Sequence, residues 1–162
     1  MGTEIERKFL VHGDEWRAGA TAKPIRQGYL HASKGMSIRV RRTGEHAYLT
    51  VKGTQVGATR AEYEYEIPVD DAEDMLDALC QPPLIEKVRY TLQNDGDTWE
   101  VDVFGGENAG LIVAEVELDS EDQSVTLPDW IGPEVTNDPR YLNANLSKTP
   151  YSRWSQIVAG DV

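Results

Sequence analysis

Apolar and polar positions alternate strictly over runs of five to eight residues along much of the chain, and a period of two belongs to strands rather than helices. The runs are Thr3 to Val11, Ile25 to His31, Ser37 to Arg41, Tyr48 to Lys52, Glu62 to Val69, Lys87 to Leu92, Trp99 to Phe104 and Ile112 to Leu118. Turn residues separate several of them: Thr43-Gly44-Glu45, Gly57, and Asn94-Asp95-Gly96, a strong hairpin turn. About eight antiparallel strands are therefore predicted. Helical periodicity is rarer. Asp70 to Leu79 places Met75, Leu76 and Leu79 on one face, with Asp70 and Asp71 suited to its N-terminus and Pro82-Pro83 ending it. A second helix is predicted near Asn137 to Leu146, with Pro139 in its first turn. At 162 residues, without an internal repeat or a linker, the chain reads as one mainly β (α+β) domain over 1–146 and a tail of unassigned role over 147–162.

The polar faces of these strands are nearly all charged, and each strand carries almost one sign. Strand one presents Glu4, Glu6 and Lys8; strand three Arg39 and Arg41; strand four Lys52; strand five Glu62, Glu64 and Glu66. Lys87 and Arg89, then Glu100 and Asp102, then Glu115 and Glu117 follow. The opposite faces, such as Val101 and Val103 or Tyr63, Tyr65 and Ile67, are apolar and need burial. Two architectures achieve that: a sandwich with charge outside, or an eight-stranded closed barrel with charge inside and helices on its outer wall. In the barrel, nine inward carboxylates face six bases, leaving −3, so two divalent cations would turn the interior to +1. Buried charge on that scale requires pairing, metal or a counter-charged ligand. Carboxylate oxygens select hard ions such as Mg²⁺ or Mn²⁺, and metal with Arg and Lys is equipment for phosphoryl chemistry.

Composition narrows the function. The chain has 16 basic and 28 acidic residues, net −12, which opposes nucleic-acid and anionic-membrane partners. The apolar runs are too short to span a bilayer, and Glu4 and Glu6 occupy the place of a signal peptide's basic and apolar segments, so a cytoplasmic location is expected. Cys80, the single cysteine, sits among apolar residues and reads as core packing. His12, His31 and His46 lack ligand spacing, and Trp16, Trp99, Trp130 and Trp154 read as packing for an outer wall. Neither a phosphate-cradling Gly-rich loop nor a Ser nucleophile elbow occurs, which leaves direct attack by water.

The opening Glu4-Ile5-Glu6-Arg7-Lys8-Phe9-Leu10-Val11 resembles the CYTH superfamily, the triphosphate tunnel metalloenzymes. Ile38-Arg39-Val40-Arg41, Thr50-Val51-Lys52, Glu62-Tyr63-Glu64, Lys87-Val88-Arg89-Tyr90, Glu100-Val101-Asp102 and Ala114-Glu115-Val116-Glu117 continue the likeness in order, and Asn137 to Asn143 extends it. The opening is more similar to the bacterial inorganic triphosphatase branch than to the cyclases. The resemblance implies an antiparallel tunnel and a metal-dependent hydrolase of tripolyphosphate. The alternatives are a class IV-type adenylyl cyclase or a non-catalytic polyphosphate- or nucleotide-binding module. It further implies Glu4, Glu6, Asp102, Glu115 and Glu117 as ligands of Mg²⁺ or Mn²⁺, with Asp102 alternatively pairing with Lys87 or Arg89. Lys8, Arg39, Arg41, Lys52, Lys87 and Arg89 are expected to bind phosphate. Lys8, placed beside Tyr29 on a neighbouring strand, is expected to lower the phenol's pKa so that Tyr29 handles the attacking water. Glu62 and Glu64 are expected to orient bases, bind a second metal or position water. Lys148 has no assigned role.

Overall fold

The computed structural model describes residues 2–154. Its strands are β1 (Thr3–Val11), β2 (Thr21–Ala32), β3 (Met36–Thr43), β4 (His46–Gly53), β5 (Thr59–Ile67), β6 (Ile85–Asn94), β7 (Asp97–Phe104), β8 (Ile112–Glu117) and β9 (Ile131–Glu134). All pairings are antiparallel, and pairing of β5 with β1 closes the sheet in the order β1-β5-β4-β3-β2-β6-β7-β8. β9 lies outside that ring, along the end of β1. The barrel, not the sandwich, is the solution the chain adopts. It is not one continuous meander: β2 to β5 and β6 to β8 are two meanders, and β1 joins their outer strands. The Asp95-Gly96 hairpin forms as predicted, both residues at positive φ (52° and 84°), the conformation that twists like the strands it joins.

The outer wall is buried in two places. Phe9, Trp99, Val101, Ala114 and Val116 pack under Trp16 and Trp130 from loops. Val40 and Ala47 pack under α1 (Val69–Ala78) through Ala72 and Leu76, with Cys80 in the same cluster. A Cβ at Gly28 would stand 2.7 Å from Leu84 Cδ2 and 2.8 Å from Cys80 Cβ. Glycine on β2 therefore lets the chain after α1 close over the wall. The second helix takes a different position. Leu142 is extended, so the segment divides into a 3₁₀ turn (Pro139–Tyr141) and α2 (Asn143–Lys148). Leu146 of α2 and Tyr141 join Ile85, Phe104 and Val113, which alternation places on the inner face, and this apolar cluster packs against the β6–β8 side of one end of the barrel. The boundary expected at 146 thus falls inside α2, and Trp154 packs edge-on to Tyr141.

Burial of the Tyr63 and Tyr65 side chains is not found: they are 52% and 60% exposed. α1 covers β2, β3 and β4 and reaches β5 only at Ile67.

Candidate active site

Inside the barrel lies a cavity of about 780 Å³. Its charges are segregated by strand. Glu6 pairs in register with Glu117, and Lys8 with Glu115, so β1 and β8 bring Glu4, Glu6, Glu115 and Glu117 onto one wall, flanked by Glu62 and Glu64 of β5. Arg39 and Arg41 of β3 and Lys87 and Arg89 of β6 flank β2. β2 is four strands from β1 in either direction around the ring, so the acids face the bases across the tunnel.

Lysines sit within the acidic wall. Lys52 Nζ is 3.0 Å from Glu4 and 3.4 Å from Glu62, and Lys8 Nζ is 3.8 Å from Glu6 and 3.6 Å from Glu115. They do not neutralise it evenly. Burial, then the Glu115 charge, pushes the Glu6 carboxyl up to about 8, whereas Lys8 overcomes burial at Glu115 and holds it down to about 2. Burial and the neighbouring Glu4 push Glu117 up as well. Among the described residues no three carboxylate, imidazole or thiol groups are gathered into a ready chelate, because the lysines stand between them. The donor set is nonetheless all-oxygen, on adjacent strands, and crowded enough to raise the Glu6 carboxyl. That is chemistry a hard divalent cation fits.

The basic wall is held differently. Arg89 donates to both oxygens of Asp102 (2.8 and 2.9 Å), and Lys87 Nζ is 2.7 Å from the same carboxylate. Despite burial, Arg89 and Lys87 hold Asp102 well below the usual carboxylate range. Burial outweighs Asp102 at Lys87 and brings the ammonium down to about 7. Arg41 donates through Nε to Gln27 Oε1 at 2.8 Å and has no carboxylate within 4.0 Å among the described residues. Burial, then Arg39 and Arg89, lowers its guanidinium to about 9. Arg39 donates to Thr50 Oγ1 at 3.2 Å and lies 3.6 Å from Glu64, while its buried Nε has no hydrogen-bond partner among the described residues.

Several expectations are corrected. Asp102, 1% exposed, does not line the cavity: it is the partner of Lys87 and Arg89 rather than a donor open to a metal. Tyr29 is not on a strand next to Lys8 but across the barrel from it. Lys8 does pull the phenol down, yet burial outweighs it and raises the pKa. Glu66 faces His46 at 2.9 Å, away from the cavity. Arg60, Lys34 and Lys148 line the cavity as well, so nine bases and seven carboxylates leave +2 where −3 is expected. Extending the strand-five alternation back two residues would have found Arg60. Lys34 and Lys148 lie in a hairpin turn and at the end of α2, where no strand periodicity marks them. Thr50, Gln27 and Asn143, neutral residues holding the bases, carried no charge signal at all.

Residues 2–151 match the CYTH domain family model. The chain belongs to the CYTH family. The inorganic triphosphatase of Acetivibrio thermocellus is 54% identical over 156 residues, spanning 96% of this chain and 100% of that protein. The inorganic triphosphatase of Nitrosomonas europaea is 41% identical over 150 residues, 90% of this chain and 97% of that one. A crystal structure of an inorganic triphosphatase superposes with a TM-score of 0.67 at 40% identity, covering 91% of this chain and 95% of that one. CYTH triphosphatases in general depend on a metal. No helix among the described residues of this CYTH chain is long and apolar enough to cross a membrane.

Proposed function

We propose that the chain hydrolyses inorganic triphosphate, with Mg²⁺ or Mn²⁺, by direct attack of water inside the tunnel. The observation that carries this is the under-compensated charge on the basic wall: a buried Arg39 whose Nε has no partner and whose nearest carboxylate, Glu64, stands 3.6 Å away, and a buried Arg41 held only by a neutral amide. Buried cations in that condition are complementary to a polyanion. Arg39, Arg41, Lys52, Lys87 and Arg89 grip the phosphate oxygens, the guanidiniums as planar forks and the lysines as point charges. Glu4, Glu6, Glu115 and Glu117 would hold the metal. When bound, it supplies Lewis-acid stabilisation of the charge that develops on the phosphate oxygens. Asp102 fixes Lys87 and Arg89, Glu64 and Thr50 fix Arg39, and Glu62 fixes Lys52. Lys8 spaces Glu6 from Glu115. Tyr29, a phenol whose pKa burial pushes further above neutral pH, donates a hydrogen bond to the water or the phosphoryl group.

Bare triphosphate is favoured over ATP because the lining is almost wholly charged, amide-bearing or hydroxyl-bearing, with Tyr29 its one aromatic residue, and its aliphatic members, Leu142, Pro139 and Ala144, make no slot for a base. The test is incubation with tripolyphosphate, ATP or thiamine triphosphate plus Mg²⁺ or Mn²⁺, with identification of products. Tripolyphosphate is expected to give the highest kcat/KM, about tenfold or more above ATP, equivalent to about 1.4 kcal/mol. Equal kcat/KM would overturn the preference, and a cyclic AMP product would move the assignment to a cyclase.

A further inference from the structure

Asn143 is the first residue of α2, and it stands where the helix at the barrel end meets the basic wall. Its Oδ1 accepts two hydrogen bonds, from Gln27 Nε2 at 3.0 Å and from Lys87 Nζ at 2.9 Å. Gln27 in turn accepts from Arg41 Nε at 2.8 Å. A line of contacts therefore runs from Arg41 on β3, through Gln27 on β2 and Asn143 on α2, to Lys87 on β6. The orientation of both amides follows from valence. Guanidinium and ammonium groups only donate, so each must meet a carbonyl oxygen. That leaves Asn143 Nδ2, a two-proton donor with no intramolecular partner among the described residues, on a side chain that lines the cavity.

We propose that Asn143 is a positioning and substrate-binding residue: its Oδ1 fixes Lys87 and, through Gln27, Arg41, while its Nδ2 donates to an oxygen of the bound triphosphate. The inference rests on the triphosphatase reading above. Two like charges do not hold a defined spacing without acceptors between them. Neutral acceptors set that spacing without cancelling the charge an anion needs, whereas a carboxylate at 143 would pair with Lys87 and compete with the substrate. Placing the acceptor on α2 ties the grip on phosphate to the seating of that helix against β2 and β6.

The test is a steady-state comparison of parent, Asn143→Asp and Asn143→Leu on tripolyphosphate, with Tm measured on each. Asn143→Asp keeps both acceptor contacts but replaces the amide donor with negative charge. It is expected to keep a Tm near the parent's while KM rises about tenfold or more, the loss of one hydrogen bond to a charged group. Asn143→Leu removes all three contacts and is expected to raise KM further and to lower Tm. An Asn143 that only braces the fold would lower Tm in Asn143→Leu and leave KM near the parent's, so a KM within about twofold of the parent in both Asn143→Asp and Asn143→Leu overturns the proposal. Should Asn143→Asp not fold, Asn143→Ala carries the same criterion on KM. In Gln27→Leu/Asn143→Leu, effects on KM smaller than additive are expected, and strict additivity overturns the shared line of contacts. A parent that does not turn over tripolyphosphate overturns the underlying reading, a result distinct from an unmoved KM in the variants.

Discussion

The two walls of the tunnel are stabilised by opposite means. On the acidic wall of β8, β1 and β5 the counter-charges are lysines, long flexible point charges interleaved with the carboxylates, and each contact is loose, from 3.0 to 3.8 Å. On the basic wall of β3, β2 and β6 one carboxylate, Asp102, is sealed behind two bases, Glu64 and Glu100 reach Arg39 and Arg89 only at 3.6 and 3.4 Å, and the closer partners Gln27, Asn143 and Thr50 are neutral. Lysines can swing aside when a stronger cation arrives. Amides and hydroxyls hold geometry while leaving charge in place. The difference separates an adjustable wall suited to receiving a cation from a preorganised wall suited to an anion.

That contrast can be broken most severely by removing the cation. In excess chelator, tripolyphosphate turnover is expected to fall by about a thousandfold or more and to return with Mg²⁺ or Mn²⁺, since metal supplies several kcal/mol of transition-state stabilisation. Full turnover in chelator would mean that the +2 lining suffices alone. Next come single changes on the acidic wall. Glu6→Gln and Glu117→Gln are expected to lower kcat about a hundredfold, with KM moved less, because their role is realised in the transition state. On the basic wall, Arg41→Ala and Arg39→Ala are expected to raise KM about tenfold or more, as removal of a charge-assisted contact does. If both walls gave the same kinetic signature, the division of labour would be wrong.

The smallest effect is on stability of the metal-free protein. Glu6, up at about 8 from its ordinary 4.5, binds more protons folded than unfolded between those values, so its contribution to stability falls as pH rises across that window. Lys87, down at about 7 from 10.5, binds fewer protons folded than unfolded, so its contribution rises with pH from about 7 to 10.5. Glu6→Gln is expected to flatten the decline of Tm between pH 5 and 7 by a few degrees. An unchanged slope would show that Lys8 neutralises Glu6 after all.

The fold was legible because the strand period is two and most strands carry two or more charged residues on the inner face, so alternation and chemistry reported the same face. It failed where that coincidence failed. Tyr63 and Tyr65 alternate like core residues but lie beyond the reach of α1, and coverage by a distant helix leaves no local mark. Leu142 breaks the helical run from 137 through backbone conformation alone. In the site, charged residues stood out, whereas Thr50, Gln27 and Asn143 matter through contacts between strands far apart in sequence. The sealing of Asp102 and the position of Tyr29 depended on strand order, and the pairing of β2 with β6 rather than β1 has no local signature.

The apolar cluster around Leu146 also bears on traffic. Were that cluster to close its end of the barrel, reactant and products would share one doorway. Once a threaded phosphate chain was cut, the fragment nearer the opening would have to diffuse away before the deeper one could move, and no new molecule would enter until both had gone. In that arrangement departure, as well as bond breaking, would set throughput, and the crowding of Arg41, Lys87 and Arg89 expected to secure the incoming chain would also retain the deeper fragment.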